Sequence, residues 1–119
     1  MKTLRENRPA RELPKGANRR AGRRYPWRRL CNVKPEGAQG VGSWSGITSD
    51  LSIVGVGIAL TYPVLPGTNL VIEPIGNYPM RYLHARVVRS VQRECVWFHG
   101  CEFAKPFTED ELASWLRGG

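Results

Sequence analysis

Two short runs hold the side chains best suited to chemistry. Arg19, Arg20 and Arg24 form an RRxxxR run, and Asp50, Ser52 and Gly55 form a DxSxxG run. An arginine guanidinium is planar, permanently charged and able to hold a phosphate through two parallel hydrogen bonds. The same fork takes guanine O6 and N7 together or lies flat on a base. The carboxylate of Asp50 offers two acceptor oxygens, which suit the N1–H and N2–H₂ donors of a guanine edge. Ser52 can donate or accept beside it. Gly55 has no side chain, so the backbone there can approach a flat ligand closely. One anion-binding half and one guanine-reading half together describe a guanine-nucleotide site.

Charge places the first run in context. Residues 1–30 hold eleven Lys or Arg against Glu6 and Glu12, whereas the other 89 residues hold seven against eight Asp or Glu. The net charge of +8 therefore belongs to the first quarter of the chain. Such asymmetry points either to an anionic partner or to a solvated basic tail, and composition leaves both open. Residues 1–18, with Pro9, Pro14 and Gly16 and little apolar content, read as a flexible tail.

The elements that must position the two runs are mostly strands. A chain of 119 residues suffices for one domain. Its 13 Gly and 9 Pro imply many turns and hence short strands. Leu30–Val33 reads as a first strand and 35–43 as a loop. From Trp44 onward the pattern is β. Val56, Ile58 and Leu60 alternate with Gly55, Gly57 and Ala59, which puts large groups on one face and small ones on the other. Tyr62–Gly67 is a turn and Leu70–Ile75 a strand. Tyr82–Val91 is a longer strand with Leu83, Ala85 and Val87 facing inward. Cys95–Ala104 follows, with Gly100 as the expected bulge. At the end the period changes. Thr108 and Glu111 match a capping box, and Leu112, Trp115 and Leu116 share one helical face. The expected architecture is a mainly all-β fold. It comprises a small six-stranded antiparallel barrel over 19–107, which includes the arginine run, and one C-terminal helix over 108–117.

Other chemistries find little support. Cys95, His99 and Cys101 lie close together, but with Cys31 and His84 elsewhere the paired spacing of a zinc site is missing. No metal is expected, and Cys31 and Cys101 read as buried small thiols. No Ser–His–Asp grouping in a motif context, no paired loop carboxylates and no phosphate loop opening a helix is present, so a binding module without a cofactor is expected rather than an enzyme. There is no apolar leader after Met1 and no run near the roughly 20 apolar residues of a membrane span, so the expected setting is cytoplasmic and reducing, without membrane insertion.

The two runs, in this order and with these flanks, resemble the PilZ domain, whose motifs are RxxxR and (D/N)xSxxG. Here they read Arg20-Ala21-Gly22-Arg23-Arg24 and Asp50-Leu51-Ser52-Ile53-Val54-Gly55. The segments PGTNLVIE, HARVVRS and GCEFAKPF resemble the strands that follow in that family, so the likeness covers roughly residues 19–116. It implies a bacterial second-messenger receptor that binds cyclic di-GMP across the barrel surface and signals to a downstream protein, whose identity the sequence does not name. Arg20 and Arg24 would hold phosphate and stack on guanine, while Asp50, Ser52 and Gly55 would cradle one guanine. Arg19 matches an extra arginine of those members that bind a stacked ligand dimer. Arg19 and Arg23 also satisfy RxxxR; Arg20 and Arg24 are preferred because Tyr25-Pro26 follows directly. Trp97 is read two ways, as core or rim packing and as a group leaning over the ligand face to stack on a base. The moving part of such a receptor would be the arginine segment of residues 15–29, ordered by the ligand. Two rivals are a basic β-barrel that binds nucleic acid and a PilZ-like adaptor that works without nucleotide.

Overall fold

The computed structural model describes residues 22–37 and 42–118. Arg19, Arg20 and the expected tail over 1–18 lie outside them. In chain order the elements are β1 (Tyr25–Pro26), β2 (Leu30–Pro35), β3 (Trp44–Leu51), β4 (Gly55–Leu60), β5 (Asn69–Pro74), β6 (Leu83–Arg93), β7 (Val96–Phe103) and a C-terminal helix α1 (Glu109–Arg117).

Period-two sequence becomes a closed barrel. Neighbouring strands run in the order β3-β2-β5-β6-β7-β4, and β4 pairs back onto β3, every pairing being antiparallel. Closure leaves none of these six strands with a free edge. Val33, Leu51, Val56, Ile58, Leu60, Leu70, Ile72, Leu83 and Val87 fill the interior, each no more than 2% exposed. Burying one such side chain is worth about 1.5–3 kcal/mol, so the alternation itself drives strand against strand.

The seventh strand stands outside the ring. In β1, Tyr25 pairs with Leu51 and Pro26 with Asp50, so the residues just after the arginine run lie beside the end of β3. Trp27 follows, 2% exposed, and its backbone N–H donates to the Ser49 carbonyl at 3.1 Å. Residues 25–29 are thus packed against the barrel. The cause is the indole, which packs edge-on against Tyr78 at 5.7 Å and Trp115 at 6.2 Å.

Trp115 belongs to α1. Thr108 caps this helix: its hydroxyl accepts from the Glu111 N–H, and Glu111 Oε1 accepts from the Thr108 N–H at 2.7 Å. Each half of the box satisfies a donor that the first turn would otherwise leave open. Leu112 and Trp115 are buried and Leu116 half-buried, which brings the expected face onto the barrel.

Candidate functional site

Two bulges decide which side chains reach the outer face near β1. Between Thr48 and Asp50 the register of β3 against β4 slips by one residue, so Ser49 is extra. Thr48 points into the barrel, fully buried, and without the slip Asp50 would follow it inward. Instead Asp50 stands opposite Gly57 on the outer face, while Leu51, opposite Val56, returns to the core. In β6 the same device falls between Val87 and Arg89. Val87 is buried, Val88 is extra, and Arg89 turns outward opposite Gly100. Gly100 was expected to be the bulge; it is the residue the bulge faces.

A row now crosses four strands: Asp50, Gly57, Gly100 and Arg89 are successive partners from β3 through β4 and β7 to β6. Its two middle members carry no side chain of their own, which leaves room for the Ser49 and Asp50 side chains to lie over Gly57 and for that of Arg89 to lie over Gly100. One residue pair away, Ile47, Ala59, Phe98 and Val91 make a parallel outward row. Ile47, Phe98 and Val91 of this row are exposed. The resulting groove, of about 380 Å³, is lined by Arg24, Ser49, Asp50, Gly57, Arg89, Arg93 and Phe98 among others. Clefts that hold small ligands run from ~300 to ~1,000 Å³.

Arg24 reaches Asp50 directly. Its Nη1 donates to Oδ1 at 2.6 Å, and Ser49 Oγ donates to Oδ2 at 3.0 Å. Arg23, the alternative partner in the RxxxR spacing, lies over the Tyr25 ring instead, 5.2 Å from its centroid. Asp50 and Arg24 are only partly covered, at 29% and 46% side-chain exposure. An ion pair this open is worth about 0.2–1 kcal/mol, so it is easily exchanged. Arg89 and Arg93 have no carboxylate partner among the described residues; Arg93 lies over the Phe98 ring at 5.6 Å.

Ser52 and Gly55 sit below this surface. Ser52 is fully buried, and its hydroxyl accepts from the N–H groups of Val54 at 3.2 Å and Gly55 at 3.1 Å. Its backbone N–H also donates to the Gly55 carbonyl at 2.9 Å. The hydroxyl thus fastens the tight β3–β4 turn, which positions Asp50. At Gly55 the closely approaching backbone is that of β7: a Cβ there would lie 2.0 Å from the Cys101 carbonyl oxygen. The glycine that keeps the Asp50 surface clear is Gly57, whose Cβ would fall 2.8 Å from Asp50 Oδ2. Trp97 is half-buried, lies one residue off the outward Phe98, and is not among the groove residues.

Beneath the floor, His99 is buried, and its Nε2 accepts from the Val64 N–H at 2.9 Å. Burial lowers its pKa below the ordinary 6.5. Cys31 and Cys101 are buried free thiols and Cys95 is exposed. Among the described residues no group of three or more His, Cys, Asp or Glu could hold a metal ion. Among them, too, no helix is long and apolar enough to cross a membrane.

The family model of the PilZ domain matches residues 18–118. The chain belongs to the PilZ domain family, whose members are in general cyclic di-GMP-binding adaptor domains rather than enzymes. No curated protein matches the chain.

Proposed function

We propose that this domain is a cyclic di-GMP receptor without catalytic activity, and that its ligand lies on the groove between Asp50 and Arg89. The observation that carries the reading is Asp50 held on the outer face opposite Gly57, partly exposed and in contact with Arg24. A flat purine can lie over Gly57 while the Asp50 carboxylate accepts from N1–H and N2–H₂. To do so it displaces the Arg24 Nη1 and Ser49 Oγ donors. Arg24 is then released to hold a phosphate, with Arg20 beside it. Arg20 is four residues from Arg24 and at full extension within about 14 Å of it, close enough to serve the same ligand. Ser52 and Gly55 act through the turn and the β4–β7 packing that fix Asp50. Arg19 would support a second ligand molecule stacked on the first. Titration should then give two ligands per chain, and Arg19→Ala one.

The signal would pass to a partner protein through the arginine segment ahead of Tyr25, drawn onto the groove as its charges are neutralised. Amide exchange should slow in residues 15–24 on adding cyclic di-GMP and change little in Val56–Leu60. Equal exchange with and without ligand would place the signal elsewhere. Base choice tests the site itself. Cyclic di-AMP presents a different edge to Asp50 and should bind at least about tenfold more weakly, or 1.4 kcal/mol. Equal affinity would remove Asp50 as the guanine reader.

A further inference from the structure

Exposed apolar side chains gather at one place on the barrel. Leu30 is 62% exposed, Ile75 and Met80 each 55%, and Ile47 37%. Leu30 stands opposite Ile47 across β2 and β3, and the Ile75 N–H, just past β5, donates to the Leu30 carbonyl at 2.9 Å. Ile75, Leu30 and Ile47 therefore form one outward row. Met80 joins Ile75 in lining a groove of about 540 Å³ between Asn32 of β2 and the 75–82 loop. A single apolar side chain on a surface is ordinary, whereas a contiguous group beside a groove marks an interaction site.

The groove wall is fixed from inside. Tyr78, in the same loop, stacks on Trp115 at 5.3 Å and meets Trp27 edge-on at 5.7 Å. A surface held in this way needs little ordering on binding. It is also separate from the Asp50 groove, whose lining comes from β3, β4, β6 and β7 and the arginine segment, and from neither β2 nor β5.

Two features choose the occupant. Every strand of the ring is paired on both sides, so a partner cannot add a strand here and must dock with its side chains. Neighbouring strands lie about 4.8 Å apart, close to the ~5–6 Å between helix positions i and i+3 or i+4, so successive apolar residues of a helix match the row. The rim, secondly, is cationic. Arg28 is exposed two residues before Leu30, and the Arg81 side chain is 71% exposed beside Met80. Glu73, the carboxylate of the groove, is already held by Arg81 at 2.8 Å. A second copy of the chain would bring the same arginines together, and like charges repel.

Resting on the adaptor reading above, though not on the nucleotide, we infer that this face docks an acidic amphipathic helix of a partner protein. Apolar side chains one turn apart sit on Leu30 and in the groove between Ile75 and Met80, and flanking carboxylates meet Arg28 and Arg81.

NMR titration of the isotope-labelled protein without nucleotide tests this. The probe is a peptide of about 18 residues, with leucine along one helical face and glutamate on the other. A second peptide of the same composition, its leucines spread around the helix, carries the same charge and controls for attraction to the basic N-terminal segment. The first peptide should bind saturably and shift the amides of Leu30, Ile75 and Met80. The second should bind at least about tenfold more weakly. Leu30→Glu and Met80→Glu should each lower affinity for the first peptide at least about tenfold. Leu65→Glu, at an exposed leucine in the 61–68 loop, should bind like the parent. The inference is overturned if the first peptide does not bind, if its shifts fall elsewhere, if the second binds equally well, or if Leu30→Glu and Met80→Glu both bind like the parent. Phosphatidylcholine–phosphatidylglycerol vesicles bound through Leu30 in place of the peptide would make the face a lipid surface and overturn it too, as would a dimer that Leu30→Glu dissociates. None of these results touches the cyclic di-GMP reading, and a parent that fails to bind cyclic di-GMP overturns that reading alone.

Discussion

Two glycines two residues apart in β4 should respond to the same substitution in opposite ways. In Gly57→Ala the new Cβ falls 2.5 Å from Ser49 Oγ, 2.8 Å from Asp50 Oδ2 and 3.2 Å from Asp50 Cγ. All three are atoms of short outward side chains that can rotate away, so the barrel should hold. The carboxylate, however, must leave the position from which it faces the floor. Losing one hydrogen bond to a charged acceptor is worth about 1.5–3 kcal/mol, so affinity for cyclic di-GMP should fall roughly ten- to hundredfold. In Gly55→Ala the Cβ lands 2.0 Å from the Cys101 carbonyl oxygen and 3.1 Å from its carbon. That neighbour is the backbone of a paired strand and cannot rotate away. Prying β4 from β7 should cost about 1–3 kcal/mol or more. Thermal unfolding and calorimetric titration on both variants separate the two effects. A folded Gly57→Ala protein that binds like the parent would refute the placement of guanine on Asp50. An unchanged Tm for Gly55→Ala would refute the packing.

Ser52→Ala removes the acceptor of the Val54 and Gly55 N–H groups and should destabilise by about 1–3 kcal/mol. The Tm should fall by about 4–8 °C per kcal/mol, and an unchanged Tm contradicts the turn-fastening role. Burial pushes the Cys31 thiol up to about 11 and that of Cys101 up to about 12, so a thiol reagent at neutral pH should label Cys95 alone until denaturant is added. Unfolded, these thiols ionise near 9.0; the stability they give is complete below that pH and is lost as pH rises toward 11–12, which urea midpoints should follow. His99 acts on the acid side: its lowered pKa means that the unfolded chain binds the proton first, so stability is full above pH 6.5 and declines as pH falls below it. His99→Gln, which can still accept from the Val64 N–H, should shrink that decline in urea unfolding at pH 7.5 and pH 5.

Strands with strict alternation were legible in the sequence because one periodicity settles both element and face. Gly55–Leu60 and the Leu83, Ala85, Val87 series behave as expected. The helix was legible from its cap. Boundaries moved where pairing decides them: β6 begins at Leu83 rather than Tyr82 and runs on to Arg93, held by β7. β1 was invisible, because two residues carry no period and exist as a strand only through β3 and the burial of Trp27. The bulges at Ser49 and Val88 were hidden for a related reason, since a bulge is a property of two strands and no single residue type signals it. Arg24 and Asp50 were found from residue type and spacing, and they meet at 2.6 Å. Arg89 and Phe98, which line the same groove, were not singled out because they sit in ordinary strands, 34 and 43 residues beyond Gly55. The one available signal was Gly100, whose meaning depended on the strand opposite.

The central claim is that cyclic di-GMP binds at the Arg24–Asp50 face, and calorimetric titration at two salt concentrations tests it most directly. Cyclic di-GMP should bind saturably with a shallow salt dependence, because a ligand with two phosphates releases few counterions. GTP and single-stranded RNA should bind far more weakly, and the double variant Arg24→Ala, Asp50→Ala should lose the cyclic di-GMP signal while keeping the parent's fold. No heat with cyclic di-GMP, undiminished binding by the double variant, or tight RNA binding with a steep salt slope would contradict it.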